Sequence, residues 1–296
     1  MSTTTSLTII NGFNIWLTFT QAQLSQDTYK YYLKHFKCLK DFFQNNNIEY
    51  FDQITTYTFD AIIVFLKNKG LSNTTINKHI TTLKICINFL NERKLTNVYV
   101  PKKIKLPETQ PKIEIIETED LKEILIYLDQ NKNKNMKLCF LLMLTTGIRR
   151  TELTKIKVNN IDLKNGQIYL EDTKNHKPRM IYIITDEIKD LITELENQIP
   201  NQKFLFYSSK TNGYVTPNTV SSYFTKIKKD LELKTLSPHK LRHTYATMLI
   251  NNGADMNSVR LLLGHSTLYM TQRYIQMTNN KLKNINNEFN PLNDLL

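Results

Sequence analysis

Imidazoles, guanidiniums and a phenol recur at close spacing over residues 237–277, which contain SPHKLRHTYATMLI and then LLLGHSTLYMTQRYIQM. His239 and Arg242 stand three positions apart, His265 follows the glycine of LLLGH, and Tyr274 comes nine positions later. Guanidinium groups clamp phosphate oxygens in pairs, and imidazoles hold or pass a proton near neutral pH. A phenol can act as a covalent nucleophile. Together the set suits attack on a phosphodiester. Taken singly, each residue has a blander explanation. A histidine at a helix start is more often a cap or a core group, and Tyr274 is one of 15 tyrosines.

These residues need elements to hold them. Pro238 at a first helical position opens a helix on which His239 and Arg242 share a face. Leu241, Tyr245, Met248 and Leu249 form its core side, and Gly253 ends it. Asp255 caps the next helix, over 256–263, and Gly264 stops that one just before His265. Upstream, 135–145 is apolar all round and reads as a central core helix. It ends at Thr146-Gly147, and Ile148-Arg149-Arg150-Thr151-Glu152-Leu153 begins a new turn. An arginine there equally suits a C-cap or an ion pair with Glu152, since such pairs are common. GQIYLE (166–171) and RMIYII (179–184) alternate as two strands, with Asp172 to Pro178 as the turn between them. Helices over 118–130, 185–197 and 217–231 complete this half, the last with Thr216 as cap and Pro217 at its first position.

The first third reads differently. A short helix carries Ile15, Trp16 and Phe19. A long one, capped by Ser25, has Tyr29, Leu33, Phe36, Leu39 and Phe43 on one stripe and Lys30, Lys34, Lys37 and Lys40 off it. Thr58 starts a third helix, which Gly70 ends in a left-handed C-cap. Ser72 caps a fourth, with Ile76, Ile80, Leu83, Ile87 and Leu90 inward. This is an all-helical, basic bundle. The start of its fourth helix offers Ser72, Asn73, Thr74, Asn77 and Lys78 to a phosphate, although polar caps are expected at any helix start. PKKIKLPETQPK follows (101–112), an extended linker whose Lys102, Lys103 and Lys105 are placed to touch DNA. The expected division is a helical DNA-binding domain over 1–107, a linker over 108–112 and a second domain over 113–296.

The 296 residues carry a net charge of +12, which points to a polyanion, nucleic acid before an anionic membrane surface. Residues up to Pro107 hold 13 Lys+Arg against 6 Asp+Glu, so positive charge is densest in the bundle. Cys38, Cys86 and Cys139 form no metal-ligand spacing and suit reduced, buried thiols in a cytoplasmic protein. The longest apolar run, 138–144, is too short to span a bilayer, and the first residues lack a basic signal-like region.

The pattern H-x-L-R-H-T-x-A-T, then L-L-G-H and a tyrosine nine positions on, resembles the tyrosine recombinase (phage integrase) family. T-G-I-R-R-T-E-L resembles that family's T-G-L-R-x-S-E-L, so Arg149 matches its first catalytic arginine. T-K-N-H-K-P-R fits its hairpin pattern G-K-G-x-K-x-R, so Lys174 matches the catalytic lysine, with Lys177 as runner-up. S-x-x-T-x-x-x-x-I-x-x-L at the fourth helix looks like the family's core-binding domain. The resemblance implies a mostly α fold with a small β-sheet, an α+β catalytic domain that forms a clamp around DNA together with the helical domain. It implies a six-residue catalytic set: Arg149, Lys174, His239, Arg242, His265 and the nucleophile Tyr274. It further implies a 3′-phosphotyrosine, strand exchange through a Holliday junction, no metal and no cofactor. The expected partners are a specific core site in double-stranded DNA and either further copies in a tetramer or a related recombinase. Residues 280–296 are a candidate for contact with a neighbouring copy. With no further domain ahead of the bundle, the likeness is greatest to short Xer-type recombinases. The alternatives are type IB topoisomerase-like relaxation of DNA and a DNA-binding protein without catalysis.

Overall fold

Helices begin where a side-chain oxygen stands ready to cap them. In the computed structural model, which describes residues 6–108, 114–171, 178–199, 201–208 and 213–272, the hydroxyls of Thr8, Ser25, Ser72, Thr185, Thr216 and Ser237 each accept a backbone N–H of the helix they precede. The chain divides into two units, Met1–Pro111 and Lys112–Leu296.

The first unit consists of α1 (Ile9–Gln23), α2 (Gln26–Asn45), α3 (Thr56–Asn68) and α4 (Asn73–Glu92). Thr55 precedes α3, three positions ahead of Thr58, because the Thr58 hydroxyl reaches back to the Thr55 N–H at 3.0 Å. The core is strongly aromatic: Phe13, Trp16, Phe43, Phe51 and Phe59 are fully buried, and the Phe13 and Phe36 rings stack at 4.3 Å.

The chain then returns along α4 instead of leaving it. Asn91 donates to the Val98 carbonyl at 2.8 Å, Lys84 to that of Pro101 at 2.5 Å, and Asn77 to that of Leu106 at 2.9 Å. These three side chains are seven positions apart, so they line one face of the helix. The stretch read from sequence as a linker is thus tied to the helical unit as far as Glu108, whose carboxylate also accepts from Asn77.

The second unit holds α5 (Thr118–Gln130), α6 (Lys134–Thr146), α7 (Arg150–Leu153), β1 (Ile161–Asp162), β2 (Gln167–Leu170), β3 (Arg179–Tyr182), α8 (Asp186–Gln198), α9 (Pro217–Asp230), α10 (Pro238–Asn251), α11 (Met256–Leu263) and α12 (Tyr269–Gln272). The strands form one antiparallel sheet in the order β1-β2-β3, and Leu170 faces Arg179 across the β2–β3 pair. β1 was not expected from sequence, since two residues carry no alternation to read. α6 is the central helix: Leu138, Cys139, Phe140 and Leu142 are fully buried. Met248, expected on the core side of α10, is exposed. Cys86 and Cys139 are buried, Cys38 is half-buried, and all three are free thiols. No helix among the described residues is long and apolar enough to cross a membrane.

Candidate active site

Two helices end at one place, and their ends hold the arginines. α6 ends at Gly147 and α11 at Gly264, both left-handed C-caps (φ +59° and +62°). In such ends the last carbonyls lack helical partners and carry the negative pole of the helix dipole. Arg242 donates to the carbonyls of both ends, that of Gly147 and that of Leu263, the latter at 2.6 Å. Arg149, the residue before α7, donates to the Gly264 carbonyl at 2.9 Å. Its other terminal nitrogen reaches Glu152 Oε1 at 2.8 Å. Both arginine planes are therefore set by backbone oxygens on rigid helix ends, which is the preorganisation that charge stabilisation in a transition state requires.

Gly147 is needed for contact as well as for φ. A Cβ there would lie 2.4 Å from the Tyr245 ring and 2.8 Å from Leu263. The T-G-I-R pattern therefore combines a left-handed turn, a close approach of α10 and α11, and the arginine two positions later.

Glu152 lies beneath this cluster with only 1% of its side chain exposed. Oε2 accepts from the Arg149 N–H at 3.1 Å and from Arg179 Nη2 at 2.8 Å. Burial raises the carboxyl's pKa, but the hydrogen bonds and charges of Arg179 and Arg149 outweigh it, so Glu152 lies below its ordinary range and is ionised. The neighbouring guanidinium, Arg150, turns away to the Ser221 hydroxyl on α9. Arg149, not Arg150, is the one at the cluster.

His265 follows Gly264 and is buried, with Nδ1 2.9 Å from the Thr271 hydroxyl of α12. Burial first, then the charges of Arg242, Arg149, Arg179 and His243, lower its pKa to about 3. The ring is neutral at physiological pH. It is suited to donate a hydrogen bond without adding a charge. His239, at the start of α10, is exposed and stands edge-on to His243 at 4.1 Å between ring centroids.

The described residues thus bring Arg149, Arg242 and His265 to one locus, with His239 on the helix that also carries Arg242. Lys174, its runner-up Lys177 and Tyr274 lie outside the described residues, as does the segment 280–296. The described part of α12 reaches Gln272, two positions before Tyr274 in the sequence. Reading the sequence did not single out Glu152 as the hub of the arginines, nor Arg179 or Thr271. The signals were present: Glu152 closes the T-G-I-R-R-T-E pattern, and Arg179 is the last residue of T-K-N-H-K-P-R.

Of the candidate DNA contacts, Thr74, Lys78, Lys102 and Lys103 are exposed. Ser72 is exposed too, with its hydroxyl capping the Thr75 N–H, and Asn73 donates to the Pro107 carbonyl at 2.9 Å. Asn77 is buried, and its amide is spent on the Leu106 backbone and the Glu108 carboxylate.

The chain matches the description "Phage integrase family" over residues 114–281 and "Phage integrase, N-terminal SAM-like domain" over 15–94. The tyrosine recombinase XerA of Pyrococcus furiosus is 30% identical over 237 residues, covering 78% of this chain and 79% of that protein. The tyrosine recombinase XerD of Staphylococcus haemolyticus is 28% identical over 283 residues, covering 90% of this chain and 94% of that protein. Among solved structures, the Tn1549 transposon integrase in complex with a circular intermediate DNA superimposes with a TM-score of 0.78 at 18% identity, covering 96% of this chain and 100% of that one. That last likeness is one of fold.

Proposed function

The chain belongs to the phage integrase family, the tyrosine recombinases, and on that premise we propose that it cuts and rejoins DNA strands at a specific core site through a 3′-phosphotyrosine. The observation that carries this reading is the convergence of Arg149, Arg242 and neutral His265 on the two helix ends that Gly147 and Gly264 close.

In the proposed step the Tyr274 oxygen bonds to phosphorus while the bond from phosphorus to the 5′-oxygen breaks. The phenol proton passes to His239, and Lys174 gives a proton to the leaving 5′-oxygen. Arg149 and Arg242 offset the charge that grows on the non-bridging oxygens, and His265 donates to one of them. Removing one donor of this kind costs about 3 kcal/mol, roughly 100-fold in rate. The energy of the broken ester is kept in the phosphotyrosine, so the reverse attack by the 5′-hydroxyl of a partner strand needs no ATP. Two such exchanges pass through a Holliday junction. Four copies on two DNA sites supply the four tyrosines, with residues 280–296 reaching a neighbouring copy. The first unit, through Thr74, Lys78, Lys102 and Lys103, grips the duplex. The full-length likeness to XerD supports the short Xer-type form, whose role is dimer resolution or movement of an element.

Capture of the covalent adduct in cells tests the reading. The protein and its Tyr274→Phe variant are expressed, cells are lysed in SDS, and DNA bound to protein is sequenced. Adducts at one site, formed only with the tyrosine, are expected, and the flanking genes separate resolution from integration. Adducts scattered over the genome would instead indicate topoisomerase-like relaxation. Equal adducts from both proteins would show that another residue is the nucleophile.

A further inference from the structure

Arg179 belongs to none of the roles described above, yet it touches Glu152, which holds Arg149, and the end of α11, which precedes His265. It opens β3, opposite Leu170 on β2, five positions after Lys174 in the sequence. Its Nη2 donates to Glu152 Oε2 at 2.8 Å, and its Nε donates to the Leu262 carbonyl at 3.2 Å. The guanidinium lies against Gly264 so closely that a Cβ there would sit 3.0 Å from Nη1. Only 9% of the side chain is exposed, and Nη1 is buried with no hydrogen-bond partner.

Stability alone does not account for this arrangement. Glu152 already has Arg149 as a charge partner, and a second buried cation adds a desolvation cost. A donor left unmet adds a further penalty, which an apolar side chain of similar volume would avoid. What Arg179 provides is geometry. One planar fork joins β3, the carboxylate that orients Arg149, and the last turn of α11, two residues ahead of His265.

We propose that Arg179 is a positioning residue for the phosphoryl transfer: through Glu152 it fixes the Arg149 guanidinium, and through Leu262 and Gly264 it fixes the loop that presents His265. This inference rests on the function proposed above. It implies that loss of the fork misplaces donors to a charged oxygen, and that the defect matters only while that oxygen carries charge.

The test uses the full-length protein and a duplex containing the captured site, in single turnover with protein in excess. Cleavage is measured on the ordinary phosphodiester and on two methylphosphonate diastereomers, in each of which an uncharged methyl replaces one non-bridging oxygen. The variants are Arg179→Lys, which keeps a cation but loses the fork, and Arg179→Met combined with Glu152→Gln, which removes both charges of the buried Arg179–Glu152 pair together. Thermal unfolding and DNA affinity are recorded for each. Arg179→Lys is expected to cleave the phosphodiester about 10- to 100-fold more slowly, a loss of the size seen when such donors are misplaced. On the diastereomer that also spares Arg149→Ala, the loss should fall to about 3-fold or less. The double variant should be as slow as Arg179→Lys while unfolding no earlier. Equal slowing on all three substrates would overturn the proposal and leave Arg179 a structural residue, as would no slowing at all. If the wild-type chain forms no adduct on the captured DNA, the function proposed above fails first, and this inference with it.

Discussion

His265 is the group whose ionisation decides how much positive charge the site holds. Its pKa is lowered to about 3, by burial first and then by Arg242, Arg149, Arg179 and His243, against an ordinary 6.5. A histidine with a depressed folded value binds its proton more readily once unfolded. Its contribution to stability is therefore complete above about pH 6.5 and is lost progressively as the pH falls toward about 3. The His265 ring resonances should not titrate between about pH 8 and 5, and His265→Gln should flatten part of the acid-side fall in stability; a midpoint near 6.5 in the folded protein would refute both expectations. Arg149→Ala should slow adduct formation by about 100-fold while shifting DNA affinity much less, because other phosphate contacts hold the duplex. Arg149, Arg242 and His265 were legible in the sequence because their spacings are fixed by helix lengths that a motif preserves. Glu152 and Arg179 were not, because their meeting is tertiary. They stand 27 positions apart, on a turn and on a strand, and no local pattern pairs them.

At the scale of elements, helices were readable wherever a capping oxygen met an amphipathic stripe, as at Ser72 and α4 or Asp255 and α11. The return of 98–108 along α4 was not. Its partners are backbone carbonyls, which every residue type presents alike. The two prolines of that segment, Pro101 and Pro107, suggested an extended chain but said nothing of where it lay. Asn77→Ala would leave the Leu106 N–H and carbonyl without their partner, and a loss of about 1–3 kcal/mol in urea unfolding is expected. An unchanged midpoint would mean that water replaces the amide without cost. Two glycines separate backbone strain from crowding. Gly70 (φ +75°) has nothing within 4 Å of a Cβ, so Gly70→Ala should cost only the left-handed conformation, about 1–2 kcal/mol. Gly147 (φ +59°) would also drive a methyl into Tyr245 and Leu263. Gly147→Ala should therefore cost about 2–5 kcal/mol, since overpacking adds about 1–3 to the backbone strain. Equal losses at the two glycines would show that α10 and α11 yield to the methyl, and that Gly147 is there for its φ alone.

Over the whole molecule, positive charge is divided unevenly between the two units. Residues up to Pro107 carry a net +7 of the total +12, though they are little more than a third of the chain. In the second unit the arginines of the cluster are partly neutralised by Glu152 and held by helix-end carbonyls, so they are committed to a single locus. A protein built this way should draw most of its sequence-independent affinity from the exposed lysines of the first unit and most of its rate from the second. Each lysine that neutralises a phosphate releases counterions and adds about 0.9 to the slope of log affinity against log salt. Lys78, Lys102 and Lys103 are all exposed. Replacing the three with alanine should reduce the magnitude of that slope by about 3, measured between about 50 and 200 mM salt. The rate of adduct formation at saturating protein should stay unchanged, since none of the three lies near Arg149 or His265 in the sequence. A lower rate at saturation would mean that the first unit takes part in aligning the scissile phosphate. An unchanged slope would move the gripping surface off the start of α4 and the segment that returns along it, to the lysines of α2 that lie away from its apolar stripe.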